Sequence, residues 1–350
     1  MSKLDYIIVG QGITGTCLAL MLEKRGKSVK IVDNSHRNSS TVLAAGMINP
    51  VTGRKYVKSW MIDTLMPFAI KFYSEFESEL DVSILHKTLI KRNMPTVRAV
   101  NDWMARCQDA NYDNYLDGVD SSQSLAGQVY SEFGYGTIKN ALRIDLPKLL
   151  LTSKESFQEK GMLTEQEFNY KNLISNADGI SYDDVVAERI IFCEGYKAIA
   201  NPFFGELPFT PVKGEVIELK IPHLNIDFVL RHERFLVPLG GDRYWTGGGY
   251  DNNDLTELPT ENFMQKLKQD LDAMLTCKYE VLSHKAGIRP AIKDRKPILG
   301  SHAQMNNIYI CNGMGTKGAS LAPYFCNHLI EHIEEGKMLL PEVDIARFQD

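Results

Sequence analysis

The chain predicts an α/β fold with a second, strand-rich unit set into it discontinuously. Three observations carry that reading. The chain opens with an apolar strand, a glycine-rich turn, a helix and a second strand. A strand, a glycine-rich loop and a helix start recur near the other end, at 307–318. Between them, 82–142 and 210–286 are stretches of short strand-like runs separated by turn residues. A length of 350 residues suits about two domains.

Taken in order, Leu4–Val9 is short, β-branched and ended by glycine, the pattern of a buried parallel strand. Residues 13–25 crowd Cys17, Leu18, Leu20, Met21 and Leu22 onto one broad face and finish on Lys24, Arg25 and Gly26, which predicts a helix. Residues 28–32 are a second strand with Asp33 at its tip. Residues 39–55 are small and aperiodic and read as a loop; 63–80 predict a helix, and 82–100 paired strands. Residues 101–136 are polar and loop-rich, with a short helix near Trp103. Asp145 caps a helix over 146–160 with Pro147 in its first turn. Strands follow near 162–168 and 189–193, the latter running into Cys193-Glu194-Gly195. Residues 216–221, 227–231, 235–239 and 243–247 predict successive antiparallel strands, 260–275 a helix, and 279–284 another strand. The last strand is 307–311 and the last helix 319–334. The expected division is 1–81, 143–209 and 287–350 for the α/β domain. Residues 82–142 and 210–286 would form an α+β domain on a mixed, largely antiparallel sheet.

Composition narrows the function classes. Hydrophobic residues make up 44% and charged residues 24%, enough for a substantial core. A formal net charge of −5 gives no general attraction to nucleic acid or to an anionic membrane. No stretch approaches the roughly 18 apolar residues of a membrane span. None of the six cysteines forms a Cys-x-x-Cys pair or a zinc-like cluster with histidine, so no metal site is expected. Small buried thiols fit a reducing, cytoplasmic setting.

Gly10-Gln11-Gly12-Ile13-Thr14-Gly15 is a G-x-G-x-x-G turn between a predicted strand and a predicted helix. Gly10 makes the tight turn, Gly12 admits a pyrophosphate to the backbone, and Gly15 lets helix and strand pack closely. The helix start offers N–H groups and a partial positive charge to phosphate. Asp33, with Asn34 beside it, follows at about the twenty-residue spacing of an acid that accepts hydrogen bonds from ribose. This Rossmann-like unit serves FAD and NAD alike. The second loop, Gly313-Met314-Gly315-Thr316-Lys317-Gly318, puts further N–H groups at a helix start, where they can stabilise the electron-rich edge of a reduced flavin.

At this point the chain resembles the D-amino-acid oxidase, glycine oxidase and sarcosine oxidase family. Six segments match in order: 6–15 with Asp33; Ala44-Ala45-Gly46-Met47; Val212-Lys213-Gly214-Glu215-Val216; 235–238 leading to 244–248; Ala286-Gly287-Ile288-Arg289-Pro290 with 294–300; and 313–318. The resemblance implies an FAD domain and a substrate domain with the reaction site between them. It implies that Ala45, Gly46 and Met47 line the isoalloxazine, that Phe168 presents its backbone to the adenine, and that Gly195 closes the third strand. Asp33 stands where glutamate is usual. Gly287 stands where the sarcosine oxidase branch carries a flavin-linking cysteine, so non-covalent FAD is expected.

By the same resemblance Arg289 forks a substrate carboxylate; an ion pair with Asp294 is the plainer reading. Lys317 touches the carboxylate, offsets charge on the reduced flavin, or points to solvent. Arg54 matches a substrate arginine of the sarcosine oxidase branch, although a solvated arginine fits its loop better. His232 and His284 sit in predicted strands and read as structural. Trp245 and Tyr250 either wall a substrate pocket or simply pack. The expected reaction is oxidation of the C–N bond of a carboxylate-bearing amino acid or secondary amine by hydride transfer to flavin N5, with reoxidation by oxygen or another acceptor. Gly247-Gly248-Gly249-Tyr250-Asp251 and Arg295 also resemble the oxidoreductase half of the bifunctional wobble-uridine tRNA-modification enzyme, which acts on a carboxymethylamino group. The acidic balance and the lack of a methyltransferase half in this sequence count against a tRNA partner. A non-catalytic FAD-binding subunit and an NAD-linked dehydrogenase are the other readings, opposed by Arg289 and by the 313–318 loop respectively.

Overall fold

A computed structural model describes residues 3–35, 38–122, 124–125, 128–176 and 179–348. Two large sheets dominate it. The first orders Leu163–Glu165, Val29–Asp33, Leu4–Val9 and Val185–Phe192 side by side, all parallel. Val185–Phe192 then forks. Its first half pairs antiparallel with Gly179–Tyr182, and its second half pairs parallel with Ile308–Asn312. Tyr6 to Val9 are buried throughout, as a strand covered on both faces requires. On one face Tyr6 and Ile8 pack in a cluster with Leu18, Leu22, Phe325 and Leu329, from the helices Ile13–Lys24 and Gly318–Glu335. On the other, Ile7 and Val9 join Ile180, Ile190 and Ile310. Five parallel strands therefore end on one side, where an open α/β sheet binds its ligands.

The second sheet runs Glu280–Arg289, Val212–Lys220, Arg243–Asp251, Phe235–Gly240, Val229–Arg231, Leu85–Asn93, Tyr135–Ile144 and Met47–Ile48. Its pairings are antiparallel except that of Val229–Arg231 with Leu85–Asn93, which joins strands far apart in the chain. The predicted α/β class with a mixed, largely antiparallel second sheet is the fold observed.

Several local expectations need correction. Residues 39–55 are not a plain loop: they hold the helix Ser40–Leu43 and the strands Met47–Ile48 and Val51–Thr52. The short helix forms because Ser39 accepts from the Val42 N–H at its start. Residues 82–100 give one strand, Leu85–Asn93, and then the helix Val97–Cys107. Thr96 caps that helix through the Ala99 N–H, and Trp103 anchors it in the core. The hairpin Leu173–Asn176 with Gly179–Tyr182 and the strand Ile298–Ser301 are additional. Glu280–Arg289 runs past the expected boundary at 286/287 because the pairing of Arg289 with Val212 continues the sheet. His232 lies just beyond Val229–Arg231 rather than within a strand.

The close approach of the first helix to its strand rests on glycine. A Cβ on Gly15 would lie 1.8 Å from the Gly10 carbonyl oxygen. Gly15→Ala is therefore expected to lower stability by about 1–3 kcal/mol through overpacking. Denaturant unfolding of the apoprotein reads this directly, and an unchanged midpoint would contradict it.

Candidate active site

A cavity of about 890 Å³ opens at the C-terminal ends of the parallel strands and extends to the face of the second sheet. Two helix N-termini open on it. Gly12 and Lys317, the residues that precede the helices Ile13–Lys24 and Gly318–Glu335, have no side-chain cap hydrogen bond, and neither helix carries an acid in its first turn. N–H groups and the positive ends of two helix dipoles are thus left for an anionic ligand. Gly10 turns the chain at φ +100°, with the Cys193 carbonyl 2.6 Å from where a Cβ would stand. Thr41 accepts from the Ile13 N–H at 3.2 Å and trims the edge of the first cradle.

Asp33 does two things there. One carboxylate oxygen accepts from the Gln11 N–H at 2.7 Å and the other from the Ser35 N–H at 2.6 Å. It staples the glycine turn to the tip of the neighbouring strand, and it lines the cavity with acceptor capacity left on both oxygens. Asn34, Phe168 and Gly195 line the same end, where the Phe168 ring stacks on Tyr182 at 4.3 Å. Glu194 is half-buried beside them and takes hydrogen bonds from the Tyr170 hydroxyl and from Asn201 at 2.7 Å. Burial raises its carboxyl above the ordinary range.

Ala45, Gly46 and Met47 line the middle of the cavity, opposite Gly315, Thr316, Lys317 and Gly318. Gly46 has φ +71° and no room for a side chain, because a Cβ would lie 1.8 Å from the Ile144 carbonyl oxygen. Gly287 is also tight, though less so: a Cβ would meet Leu43 at 2.7 Å and the Asn38 carbonyl at 2.9 Å. A cysteine there would displace the loop over the cavity. Trp245 lines the wall and donates from its indole to the Leu43 carbonyl at 2.9 Å, tying the second sheet to that loop.

Arg289 lines the far end. Its guanidinium donates to the carbonyls of Gly249 at 2.8 Å and Gly248 at 3.4 Å and lies 5.2 Å from the centre of the Tyr250 ring. Asp294 does not pair with it, since that carboxylate is taken by Arg347 at 2.9 Å. Among the described residues Arg289 has no ion pair. The guanidinium rests on the bare backbone of Gly214, where a Cβ would lie 2.0 Å from Nη2. Burial pushes its pKa down, although an arginine stays charged at any working pH.

Lys317 is half-buried on the cavity wall with no ion pair among the described residues. Burial, and then the charge of Lys296, lowers its pKa. Three sequence candidates stand apart. Arg54 is exposed at the turn between Val51–Thr52 and Val57–Lys58 and does not line the cavity. Gly15 and Gly313 lie behind the lining, where they allow close packing. His284 is held by Glu215 at 2.7 Å within the second sheet, and Glu215 also takes the N–H and hydroxyl of Thr260, so both are structural. Thr41 and Arg231 line the cavity without having been singled out in the sequence. Gly214, Gly248 and Gly249 left a trace, as glycines of the matched segments 212–216 and 247–251, but not the contacts they make with Arg289. Among the described residues no group of three or more His, Cys, Asp or Glu is placed to hold a metal, and no helix is long and apolar enough to cross a membrane.

Comparisons with known proteins show the family and the fold. The sequence model of the family described as FAD dependent oxidoreductase matches residues 5–332. Glycine oxidase of Bacillus subtilis is 23% identical over 350 residues, covering 91% of this chain and 90% of that protein. The tRNA 5-methylaminomethyl-2-thiouridine biosynthesis bifunctional protein of Idiomarina loihiensis is 22% identical, covering 91% of this chain but 54% of that protein. The chain thus spans about half the length of that relative. The crystal structure of glycine oxidase from Geobacillus kaustophilus superposes with a TM-score of 0.83 at 18% identity, over 99% of this chain and 98% of that one.

Two outcomes are expected. Gly214→Ala should displace the Arg289 guanidinium and weaken carboxylate binding about tenfold or more, as loss of one charge-assisted hydrogen bond of roughly 1.5–3 kcal/mol implies. Titration of the holoprotein with acetate, followed by flavin absorbance, would show it; wild-type affinity would rule out the packing role. For Lys317, only the protonated amine attracts an anion, and its pKa is lowered from 10.5. Acetate affinity should therefore fall as pH rises through a midpoint below 10.5, and Lys317→Met should lack that alkaline limb. A limb unchanged in the variant would remove Lys317 from the site.

Proposed function

The chain belongs to the FAD dependent oxidoreductase family, and from that premise we propose that it oxidises the C–N bond of an amino acid or secondary amine carrying a carboxylate. The observation that carries the proposal is the guanidinium of Arg289. It faces the same cavity as two uncapped helix starts and has no ion pair with a described carboxylate. Buried cations are normally paired, so an unpaired one on a cavity wall suits an anion brought by a ligand.

In this reading Gly10, Gly12, Ile13 and Thr14 hold the pyrophosphate, with Gly15 allowing the helix to approach. Asp33 and Asn34 meet the ribose, while Phe168 and Gly195 border the adenine. Ala45, Gly46 and Met47 lie along the isoalloxazine on one side and 313–318 on the other. No side chain stands at 287 to form a covalent link. Bound FAD supplies the two-electron acceptor. The chain's part is to bind and orient: Arg289 fixes the carboxylate, which sets the carbon bearing the nitrogen against the ring system. Trp245, Val216 and Phe235 offer an apolar wall that limits water around it. That acceptor would take a hydride from this carbon and leave an iminium, which water would hydrolyse to a carbonyl compound and an amine. Lys317 adds positive charge near the acceptor edge.

A second reading shares this site. The bifunctional tRNA-modification relative matches over most of the chain, so a carboxymethylamino group on a modified uridine would use the same arginine fork.

Anaerobic addition of glycine, sarcosine, proline and other amino acids to the yellow holoprotein tests the proposal. Bleaching of the flavin by one of them is expected, slowed about a hundredfold or more in Arg289→Ala, the loss of two charge-assisted hydrogen bonds. A holoprotein bleached by none of them would overturn it, and unchanged bleaching in the variant would remove Arg289 from its role.

A further inference from the structure

A second arginine faces the cavity, and nothing in the reading above uses it. Arg231 ends the strand Val229–Arg231 and lines the cavity beside Phe235. Register places it in one row across the second sheet. Arg231 stands opposite Phe235 on one neighbouring strand and opposite Arg92 on the other. Phe235 in turn stands opposite Gly247, and Gly247 opposite Val216. Same-row neighbours in a sheet share a face about 5 Å apart. Val216, Gly247, Phe235 and Arg231 all line the cavity, so this face is its floor.

Two arginines side by side with no carboxylate between them is a costly arrangement. The Arg231 guanidinium lies 4.9 Å from the Phe235 ring centre, and that of Arg92 lies 4.7 Å from the Tyr56 ring centre. Rings and backbone are the partners seen: Nη1 of Arg231 donates to the carbonyls of His232, at 2.7 Å, and Glu233. Among the described residues neither arginine has an ion pair. Glu233 is exposed and does not come within ion-pair distance of Arg231. Arg234, also on the wall, is already matched by Asp270 at 2.6 Å. Burial first, and then the charge of Arg92, lower the pKa of Arg231, and the exposed Glu233 offsets this only in part. Tyr250, whose ring centre lies 5.2 Å from the Arg289 guanidinium, lines the cavity together with both arginines.

We propose that Arg231 is a second anion-binding group of this cavity, and that the substrate carries, besides the carboxylate held by Arg289, a second anionic group, carboxylate or phosphate. This rests on the proposed function for the identity of the first group. The binding claim itself concerns Arg231 alone. A guanidinium with donors to spare suits both oxyanions. A carboxylate would belong to an amino diacid, and a phosphate to a nucleotide-borne amine.

The test uses the FAD-loaded protein at fixed ionic strength and reads flavin absorbance, so it needs no turnover. The probes are butyrate, succinate, glutarate and 3-phosphonopropionate. At least one dianion is expected to bind about tenfold or more tighter than butyrate. Arg231→Gln, which can still donate to the turn carbonyls, should erase that advantage and leave butyrate affinity unchanged. Arg231→Lys should keep part of it. An advantage for succinate or glutarate assigns a second carboxylate, and one confined to 3-phosphonopropionate assigns a phosphate. Wild-type protein that binds no dianion better than butyrate overturns the proposal whatever the variants do, as does an advantage that survives Arg231→Gln. Failure of the amine-oxidation reading shows separately, as absence of bleaching by any amino acid while the Arg231-dependent binding remains.

Discussion

The approach of the helix Ile13–Lys24 to its strand, with no side chain between Gly15 and the Gly10 carbonyl, sets the terms for the rest of the molecule. It brings an uncapped helix start to the ends of five parallel strands. From there the geometry propagates by backbone contact. The Cys193 carbonyl closes on Gly10, and Ile144 donates its N–H to the Gly46 carbonyl at 2.9 Å. Gly287 fits under Leu43, and Trp245 reaches back to the Leu43 carbonyl. The two sheets meet around the cavity through main chain and small residues, an arrangement that leaves room for a large flat ligand and little for sideways slack.

That architecture divides the work between the ends of the cavity. At one end the cavity presents N–H groups and the Asp33 carboxylate, which in the proposed reading would meet phosphate and ribose. At the other the polar groups are guanidinium ions on the strands of the second sheet. Arg289 is positioned by Gly214 beneath it and by the carbonyls of Gly248 and Gly249 at its side. Its orientation does not depend on a partner carboxylate that a ligand would have to displace. An anion arriving there meets a cation whose desolvation cost was met during folding.

How much of this could be read in advance depended on the range of the interaction. The opening unit was legible because strand, turn, helix and acid lie within some thirty residues and each has its own chemical signature. The helix after Asp145 was legible for the same reason, since Asp145 accepts from the Lys148 N–H and Pro147 sits in the first turn. The helix Val97–Cys107 was legible only in part, as the short helix expected near Trp103. Its apolar residues Val97, Val100 and Trp103 keep helical spacing, but the segment was divided at residue 100, and Val97 is exposed. Arg54 shows how far a loose match in a loop can be weighed: the hairpin of Val51–Thr52 with Val57–Lys58 carries its turn into solvent, as the reading of a solvated arginine expected. Arg231 gave no signal at all. Its meaning comes from a parallel pairing with Arg92, more than a hundred residues away, and only sheet register brings those charges together.

Asp33 bears a consequence of its own. Both of its oxygens are engaged by N–H groups of the turns on either side, so the acid proposed to meet the ribose is also the clasp that keeps the glycine turn closed. Loss of the negative charge here would therefore be felt in the fold as well as in the cavity: asparagine would keep one of the two acceptors and give up the other, loosening the turn by about 1.5–3 kcal/mol, the worth of one hydrogen bond to a charged group.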